Sequence, residues 1–186
     1  MENPEDLKVL VQQAKYGDST AFSHLYDYYL TPIFRFIYFR VGTKEDAEDI
    51  TQHVFLKAWN ALGDFEHEGK SFSAWLYRIA RNTTIDYWRK KKSISIDPAA
   101  DIFLKQQDPR NNPAEAASQK EEAEIIRNSL YMLNEDQQTI ITLKFIEGLS
   151  NVEISSITGK SEGAIRQAQS RGLKALRLHF KENNLL

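Results

Sequence analysis

The chain has 186 residues, no cysteine and a formal net charge of −2. The absence of cysteine excludes disulfides and thiolate metal sites, and no apolar run approaches the roughly 20 residues that a membrane-spanning helix needs. The polar start at residues 1–6 also lacks the basic and then apolar pattern of a signal peptide. We therefore expect a cytoplasmic protein that is not inserted in a membrane.

Charge is unevenly distributed along the sequence. Two basic blocks, residues 78–92 and 160–181, lie on either side of an acidic stretch at residues 97–124. Because the opposite signs are segregated, the small net charge conceals two basic surfaces. Binding to nucleic acid is therefore compatible with this composition.

Helix-start and helix-stop signals are dense, and the alternation typical of strands is almost absent, which predicts an all-α fold. A break is expected at Thr31, because Pro32 suits the first turn of a new helix. Thr43 and Asp46 form a variant of the capping box. In the first half of the chain we predict helices at residues 3–17, 20–30, 32–42, 43–62 and 72–92, with a loop at residues 63–71.

Residues 93–113 are rich in Asp, Pro, Asn and Gln, the composition of a linker. The sequence therefore predicts two small helical domains, residues 1–92 and 114–186, joined by a flexible acidic linker. In the second domain helices are predicted at residues 114–133, 134–148, 150–158 and 162–180, with capping boxes at Asn134 with Gln137 and at Ser150 with Glu153.

The last two predicted helices follow the order of a helix-turn-helix. A short capped helix is followed by a turn that contains Gly159 and then by a longer basic helix. Core positions of these two helices are predicted at Ile154, Ile157, Ile165, Leu173 and Leu176. The opposite face of the last helix carries Arg166, Gln167, Ser170 and Arg171. Arginine pairs with guanine and glutamine with adenine in the major groove, so this face is predicted to bind duplex DNA. The alternative is a solvated face of an ordinary bundle helix.

Residues 72–92 combine cations with aromatic side chains. An inward stripe is predicted at Trp75, Leu76, Ile79 and Thr83. Off that stripe lie Arg78, Arg81, Asn82 and Arg89, interleaved with Tyr77, Tyr87 and Trp88. Such a pattern suits single-stranded or opening DNA, where bases stack on rings and cations follow phosphates. The alternative is simple core packing, which is favoured for Trp75 and stays open for Tyr87 and Trp88.

The helix at residues 46–59 has two faces. A buried stripe is predicted at Ala47, Ile50, Val54 and Ala58. A second face, which does not need burial, carries Asp49, Gln52, His53 and Leu56. On charge alone, acidic residues at a helix start complement the helix dipole and imply no partner.

Three segments carry a family resemblance: DAEDITQHVFLKAW at residues 46–59, SFSAWLYRIARNTTIDYWRKK at residues 71–91, and LNEDQQTIITLKFIEGLSNVEISSITGKSEGAIRQAQSRGLKALR at residues 133–177. In this order they resemble signatures of the extracytoplasmic-function subfamily of bacterial RNA polymerase sigma factors. The resemblance covers nearly the whole chain except the linker.

This resemblance implies a sigma factor that binds core RNA polymerase and directs promoter-specific initiation of transcription. Polymerase-binding residues would be Asp49, Gln52, His53 and Leu56. The proximal promoter element would be bound as an opened strand, with a base flipped out near residues 63–71. Its contacts would come from Lys70, Arg78, Arg81, Asn82, Arg89 and Lys90. The distal element, bound as duplex, would be contacted by Ser161, Arg166, Gln167, Ser170 and Arg171. An extended linker of about 20 residues spans roughly 65 Å, comparable with the roughly 70 Å between elements two duplex turns apart.

The resemblance further implies a monomer when free, with an anti-sigma factor as a possible additional partner. Three residues depart from the family pattern. His53 stands where an acidic residue is commoner among the polymerase contacts. In the last helix Gln169 occupies a position that is often apolar, and Gly172 costs about 1 kcal/mol relative to alanine, so promoter sequence is not predicted from the family consensus. No enzyme activity, catalytic residue, metal or cofactor is expected: the histidines are scattered and no phosphate-binding loop occurs.

A rival interpretation is a conventional dimeric helix-turn-helix regulator with an N-terminal helical sensor domain. It predicts self-association on a palindromic site. It would leave the basic aromatic helix of the N-terminal half without a role.

Overall fold

The structure is a computed structural model, and it describes residues 4–66, 71–94 and 124–183. Within these ranges every regular element is helical, which confirms the all-α prediction. None of the helices in this part of the chain combines the length and the apolar character needed to cross a membrane. Lys70, His67 and nearly all of the predicted linker lie outside the described residues, so the domain boundaries at residues 92 and 114 stay predictions.

Helices of the first half are α1 (Pro4–Lys15), α2 (Ser19–Val41), α3 (Lys44–Ala61, followed by a 3₁₀ turn at Leu62–Asp64) and α4 (Phe72–Ile94). Those of the second half are α5 (residues 124–131), α6 (Glu135–Ile141, continued by a π-helical turn at Thr142–Ile146), α7 (Asn151–Thr158) and α8 (Glu162–Glu182).

The predicted break at Thr31 is wrong, because α2 continues through it with Pro32 inside the helix. Proline removes one backbone hydrogen bond and costs about 3 kcal/mol in a helix interior. Buried side chains continue on both sides of the proline, from Leu25 and Tyr29 to Ile33 and Phe36. The burial of this stripe against α1, α3 and α4 outweighs the local cost.

Side-chain caps begin several helices where the sequence predicts them. Thr43 Oγ1 accepts a hydrogen bond from the Asp46 amide at 3.3 Å, and both halves of the predicted capping boxes at Asn134 and Ser150 are formed. Asp18 is an additional cap, since its Oδ1 accepts from the Thr20 amide at 2.8 Å. These caps fix the N-terminal ends of α2, α3, α6 and α7.

The buried stripe of α8 differs from the prediction. Ile165 and Gly172 are buried, Ala168 and Leu176 are partly buried, and Leu173 is 45% exposed. A Cβ placed on Gly172 would lie 3.0 Å from Ile141 Cγ1 of α6. The missing side chain therefore lets α8 approach α6 closely, and Leu173, one position further on, points away from that contact.

Gly172→Ala is therefore expected to lower the free energy of unfolding by about 1 kcal/mol, because overpacking against the buried Ile141 exceeds the gain in helix propensity. Gly163→Ala is the matched control in the same helix, since among the described residues the nearest atom to its Cβ would be Ser161 Oγ at 4.0 Å. That change should be neutral or stabilising. Urea denaturation measures both, and a more stable Gly172→Ala protein would refute the close-approach explanation.

Candidate promoter-binding and polymerase-binding surfaces

Helix α8 presents a polar face of the kind that enters a major groove. Ser161 caps the helix by accepting a hydrogen bond from the Ala164 amide at 3.3 Å. The predicted DNA-binding side chains of this helix, Arg166, Gln167, Ser170 and Arg171, are all exposed. Ile165 is fully buried on the opposite side. Burial of one face thus fixes which side chains are available to a ligand.

Polar contacts link α7, the turn and α8 to one another and to α6. Gly159 takes the left-handed conformation in the turn, and Ser155 Oγ donates to the Lys160 carbonyl at 2.7 Å. Lys160 Nζ lies 2.7 Å from Asp136 Oδ2, and Gln169 Nε2 donates to Asn151 Oδ1 at 2.9 Å. Gln169, which departs from the family pattern, therefore forms a hydrogen bond between the two helices of the motif.

Helix α4 buries one side and exposes most of its predicted DNA-binding residues. Leu76, Ala80 and Thr83 face the interior. Arg78, Asn82, Arg89 and Lys90 are exposed. Arg81 is half-buried, and among the described residues its Nε has no hydrogen-bond partner, so its contact with DNA stays a prediction.

The aromatic side chains of α4 are engaged in packing. Tyr77 is buried, and Trp75 packs against Phe65 with the ring centroids 5.0 Å apart. Tyr87 Oη donates to Asp46 Oδ2 at 2.6 Å, and Trp88 Nε1 donates to the Arg40 carbonyl at 3.3 Å. Of the two interpretations that the sequence left open for Tyr87 and Trp88, these contacts favour packing.

Helix α3 exposes the face predicted for protein contact. Asp49, Gln52, His53 and Leu56 are all exposed, and Leu56 reaches 58%. His53 Nδ1 lies 2.9 Å from the Asp49 carbonyl oxygen, which fixes the ring along the helix. The matching interior stripe is buried as predicted, at Ala47, Ile50, Val54 and Ala58.

Beside this face lies a groove of about 440 Å³ between α2 and α3. It is lined by Tyr26, Leu30, Thr31, Phe34, Lys44, Glu48, Thr51 and Gln52. Periodicity along the sequence could not indicate this groove, because the groove needs two helices to be placed side by side. Only Gln52 belongs both to the groove and to the predicted docking face.

Two family models match successive parts of the chain: Sigma-70 region 2 matches residues 25–94, and Sigma-70 region 4 matches residues 123–176. The ECF RNA polymerase sigma factor SigW of Bacillus subtilis (strain 168) is 32% identical over 183 residues, which cover 95% of this chain and 97% of SigW. The chain belongs to the ECF RNA polymerase sigma factors. It is thus a non-enzymatic factor that directs promoter recognition by RNA polymerase.

Two further similarities extend over most of this sigma factor. The ECF sigma factor BldN of Streptomyces coelicolor is 35% identical over 167 residues, which cover 90% of this chain and 63% of BldN, so the chain spans less than two thirds of that relative. The solved structure of the sigma factor RpoE with the anti-sigma factor NepR, from Bartonella quintana, gives a TM-score of 0.72 at 26% identity. That alignment covers 86% of this chain and 96% of the other.

In region 2 of the sigma factor, Asp46 links α3 to α4. Burial acts to raise the pKa of Asp46, but hydrogen bonds from Thr43 and Tyr87 together with the charge of Lys91 outweigh it, and the pKa is lowered. Lys91 Nζ lies 3.5 Å from Asp46 Oδ2. This partly exposed cluster fixes the start of α3 against the second half of α4.

The lowered pKa of Asp46 predicts a pH-dependent contribution to stability. Ionised Asp46 stabilises the fold above the unfolded value of about 3.9, and this contribution is lost as the pH falls toward the folded pKa. We expect Asp46→Asn to be less stable than the unmodified chain near neutral pH, with the difference narrowing as the pH falls below about 4. Urea denaturation across this range checks it, with the exposed Asp49→Asn as control. A difference that does not change with pH would contradict the assignment.

The two regions of the sigma factor pack against each other through polar contacts that the sequence analysis missed. Arg35 Nε and Nη2 donate to the two carboxylate oxygens of Glu147, each at 2.8 Å, and Tyr77 Oη donates to Glu147 Oε2 at 2.9 Å. The hydrogen bond with Glu147 is the largest influence on the pKa of Arg35, which is raised. No local signal could have indicated these contacts, since Arg35 and Glu147 are 112 positions apart.

Arg40 is a second buried link between the regions. Its guanidinium donates to Thr139 Oγ1 and lies 3.6 Å from Glu135 Oε1. Burial lowers the pKa of Arg40 to about 10, Glu135 opposes that shift and the nearby charge of Arg81 adds to it. The side chain therefore stays a cation at neutral pH and is held in place by region 4.

Proposed function

We propose that the two regions of this sigma factor divide promoter recognition between them. Region 4 binds the distal promoter element as duplex through α8, and region 2 binds the proximal element as an opened strand through α4. Meanwhile α3 docks on core RNA polymerase. The observation that carries the proposal is that the polar face of α8 is exposed while its opposite face is buried.

Support for the distal contact comes from the chemistry of α8. Arg166 and Arg171 can each donate two hydrogen bonds to guanine, and Gln167 can pair with adenine, at about 1–3 kcal/mol of discrimination for each good pair. Arg166 Nη1 lies 3.5 Å from Glu162 Oε2, an exposed pair that a base can displace at small cost. Ser161, at the helix N-terminus, is placed to meet a phosphate.

Support for the proximal contact comes from the exposed cations of α4. Arg78, Arg89 and Lys90 can follow the phosphates of a displaced strand, and Asn82 can bond to base edges. With Tyr87 and Trp88 held by hydrogen bonds to α3 and α2, we do not assign base stacking to them. Lys70, outside the described residues, stays a proposed contact at the loop where a base would flip out.

A binding experiment with the holoenzyme tests this division. Arg78→Ala is expected to weaken binding to a single-stranded oligonucleotide that carries the proximal element by about three- to tenfold, because one phosphate contact is lost. Binding to a duplex fragment with only the distal element should not change. Promoter fragments are chosen from transcription start sites mapped with the unmodified holoenzyme. Equal losses on both DNA species would contradict the division.

The docking face of α3 is tested by Gln52→Ala. Gln52 is exposed on the face that also carries Asp49, His53 and Leu56, and it lines the groove between α2 and α3. We expect the Kd for core RNA polymerase to rise about tenfold, which corresponds to about 1.4 kcal/mol of binding free energy. Asn60→Ala, exposed at the end of the same helix, is the control. Fluorescence anisotropy measures both, and an unchanged Kd for Gln52→Ala would remove α3 as the docking surface.

We further propose that the protein acts in the cytoplasm, where its DNA and polymerase partners are, and that it is a monomer when free. The solved complex of RpoE with NepR supports an anti-sigma factor as an additional partner of this chain. A mass measurement in solution distinguishes the monomer from the palindrome-binding dimer of a conventional regulator.

A further inference from the structure

We propose that Lys15 is a positioning residue for recognition of the proximal promoter element, although it lies outside every surface assigned above to DNA or polymerase. The inference rests on the proposed function, which places the flipped base of that element near residues 63–71. Lys15 acts through the backbone of Phe65 within this segment and does not touch DNA itself.

Lys15 ties the end of α1 to the backbone of Phe65. It lies half-buried in the last turn of α1, and its Nζ donates a hydrogen bond to the Phe65 carbonyl at 2.6 Å, across 50 positions of the chain. The Phe65 amide donates to the Leu62 carbonyl at 3.1 Å. Because both polar backbone groups of Phe65 are bonded, the direction in which the chain leaves the 3₁₀ turn is fixed.

The side chain of Phe65 joins the two ends of the segment at residues 66–71. Its ring is 4% exposed and packs against Phe72 and Trp75 at the start of α4, with centroid distances of 5.9 and 5.0 Å. The rings of Phe72 and Trp75 are themselves 5.5 Å apart. Both ends of the segment therefore meet in one aromatic cluster, to which Lys15 adds a polar contact from a third element.

The aromatic cluster lies beside the surface of α4 that is proposed to bind the opened strand. Arg78 and Asn82 are exposed one and two turns beyond Trp75, on the adjoining surface of the helix. A flipped base and the phosphates next to it belong to the same strand, so recognition of the base requires a fixed geometry between Phe65 and these side chains. By holding Phe65 before DNA binds, Lys15 lowers the cost of forming that geometry.

The charges near Phe65 favour a positioning role for Lys15 over direct contact with DNA. Exposed carboxylates flank Phe65 on both sides in the chain, at Asp64 and Glu66. Two negative charges next to the carbonyl that Lys15 binds make this surface unfavourable for a DNA phosphate. The contribution of Lys15 is therefore the position of the Phe65 backbone, and its loss should affect base discrimination more than overall affinity.

Binding of the holoenzyme to single-stranded oligonucleotides that carry the proximal element tests this role. Each position of the element is substituted in turn, and the position with the strongest base preference is identified with the unmodified protein. Lys15→Met removes the donor but keeps a long apolar side chain. At that position we expect the ratio of Kd values for the substituted and preferred bases to fall about three- to tenfold, the effect of losing a hydrogen bond. Lys15→Arg, which can donate to the same carbonyl, should restore most of the preference.

Lys8→Met is the matched control, since it removes the same charge from an exposed position of α1, and it should keep the full preference. Binding of Lys15→Met to core RNA polymerase and to a duplex with only the distal element should be unchanged, which shows that the variant is folded. An unchanged preference in Lys15→Met, an equal loss at every position, the same loss in Lys8→Met or no recovery in Lys15→Arg would each overturn the positioning role. If the unmodified holoenzyme bound all substituted oligonucleotides equally, the proposed recognition of an opened strand would fail, and this inference with it.

Discussion

Arg171→Ala is expected to lower run-off transcription from the promoters of this sigma factor by about ten- to a hundredfold. Arg171 is exposed on the polar face of α8, and a bidentate contact to a base contributes about 1–3 kcal/mol. Binding of the sigma factor to core RNA polymerase should be unchanged, because α3 lies in the other region. Transcript yield and the Kd for polymerase measure the two effects.

Arg177→Ala serves as the control for Arg171→Ala. Arg177 is exposed later in the same helix, and its replacement removes the same charge. We expect only a small loss of transcription from it. If Arg177→Ala were as defective as Arg171→Ala, the effect would be one of general charge on α8 and the assignment of Arg171 to base recognition would fail.

Phe36→Ala is expected to lower the free energy of unfolding by about 3–5 kcal/mol. Phe36 is 0% exposed in the middle of α2, and its ring packs edge-on against Tyr77 with the centroids 5.5 Å apart. The cavity would lie beneath both α4 and the contact with region 4. Tyr16→Ala, at an aromatic residue that is 88% exposed, should change stability little. Denaturant unfolding compares the two, and a loss below about 1 kcal/mol for Phe36→Ala would mean that α2 is not the centre of the core.

Local signals in the sequence predicted helix starts well. The capping boxes at Asn134 and Ser150 and the cap at Thr43 depend on residues three positions apart, so their geometry follows from the sequence alone. Pro32 shows the limit of such rules. Proline does favour the first turn of a helix. The sequence did not show, however, that α2 is buried on both sides of Pro32 and continues through it.

Which face of a helix is exposed could also be predicted from periodicity, as α3 shows. Leu173 was wrongly predicted to be buried for a specific reason. Periodicity counts only apolar side chains, whereas in α8 the position that faces α6 is Gly172, which has no side chain. Tyr87 is a similar case, since its hydroxyl bonds to Asp46, 41 positions earlier. Contacts at such separations, like that between Arg35 and Glu147, required the arrangement of helices in space.

Transcription by the reconstituted holoenzyme tests the central claim most directly. Purified core RNA polymerase is combined with this protein and a library of promoter fragments, and transcript starts are mapped. We predict discrete starts that core polymerase alone does not give, with sequence preferences at two separated elements, of which only the distal one is altered by Arg171→Ala. Transcripts no more specific than those of core polymerase alone would contradict it.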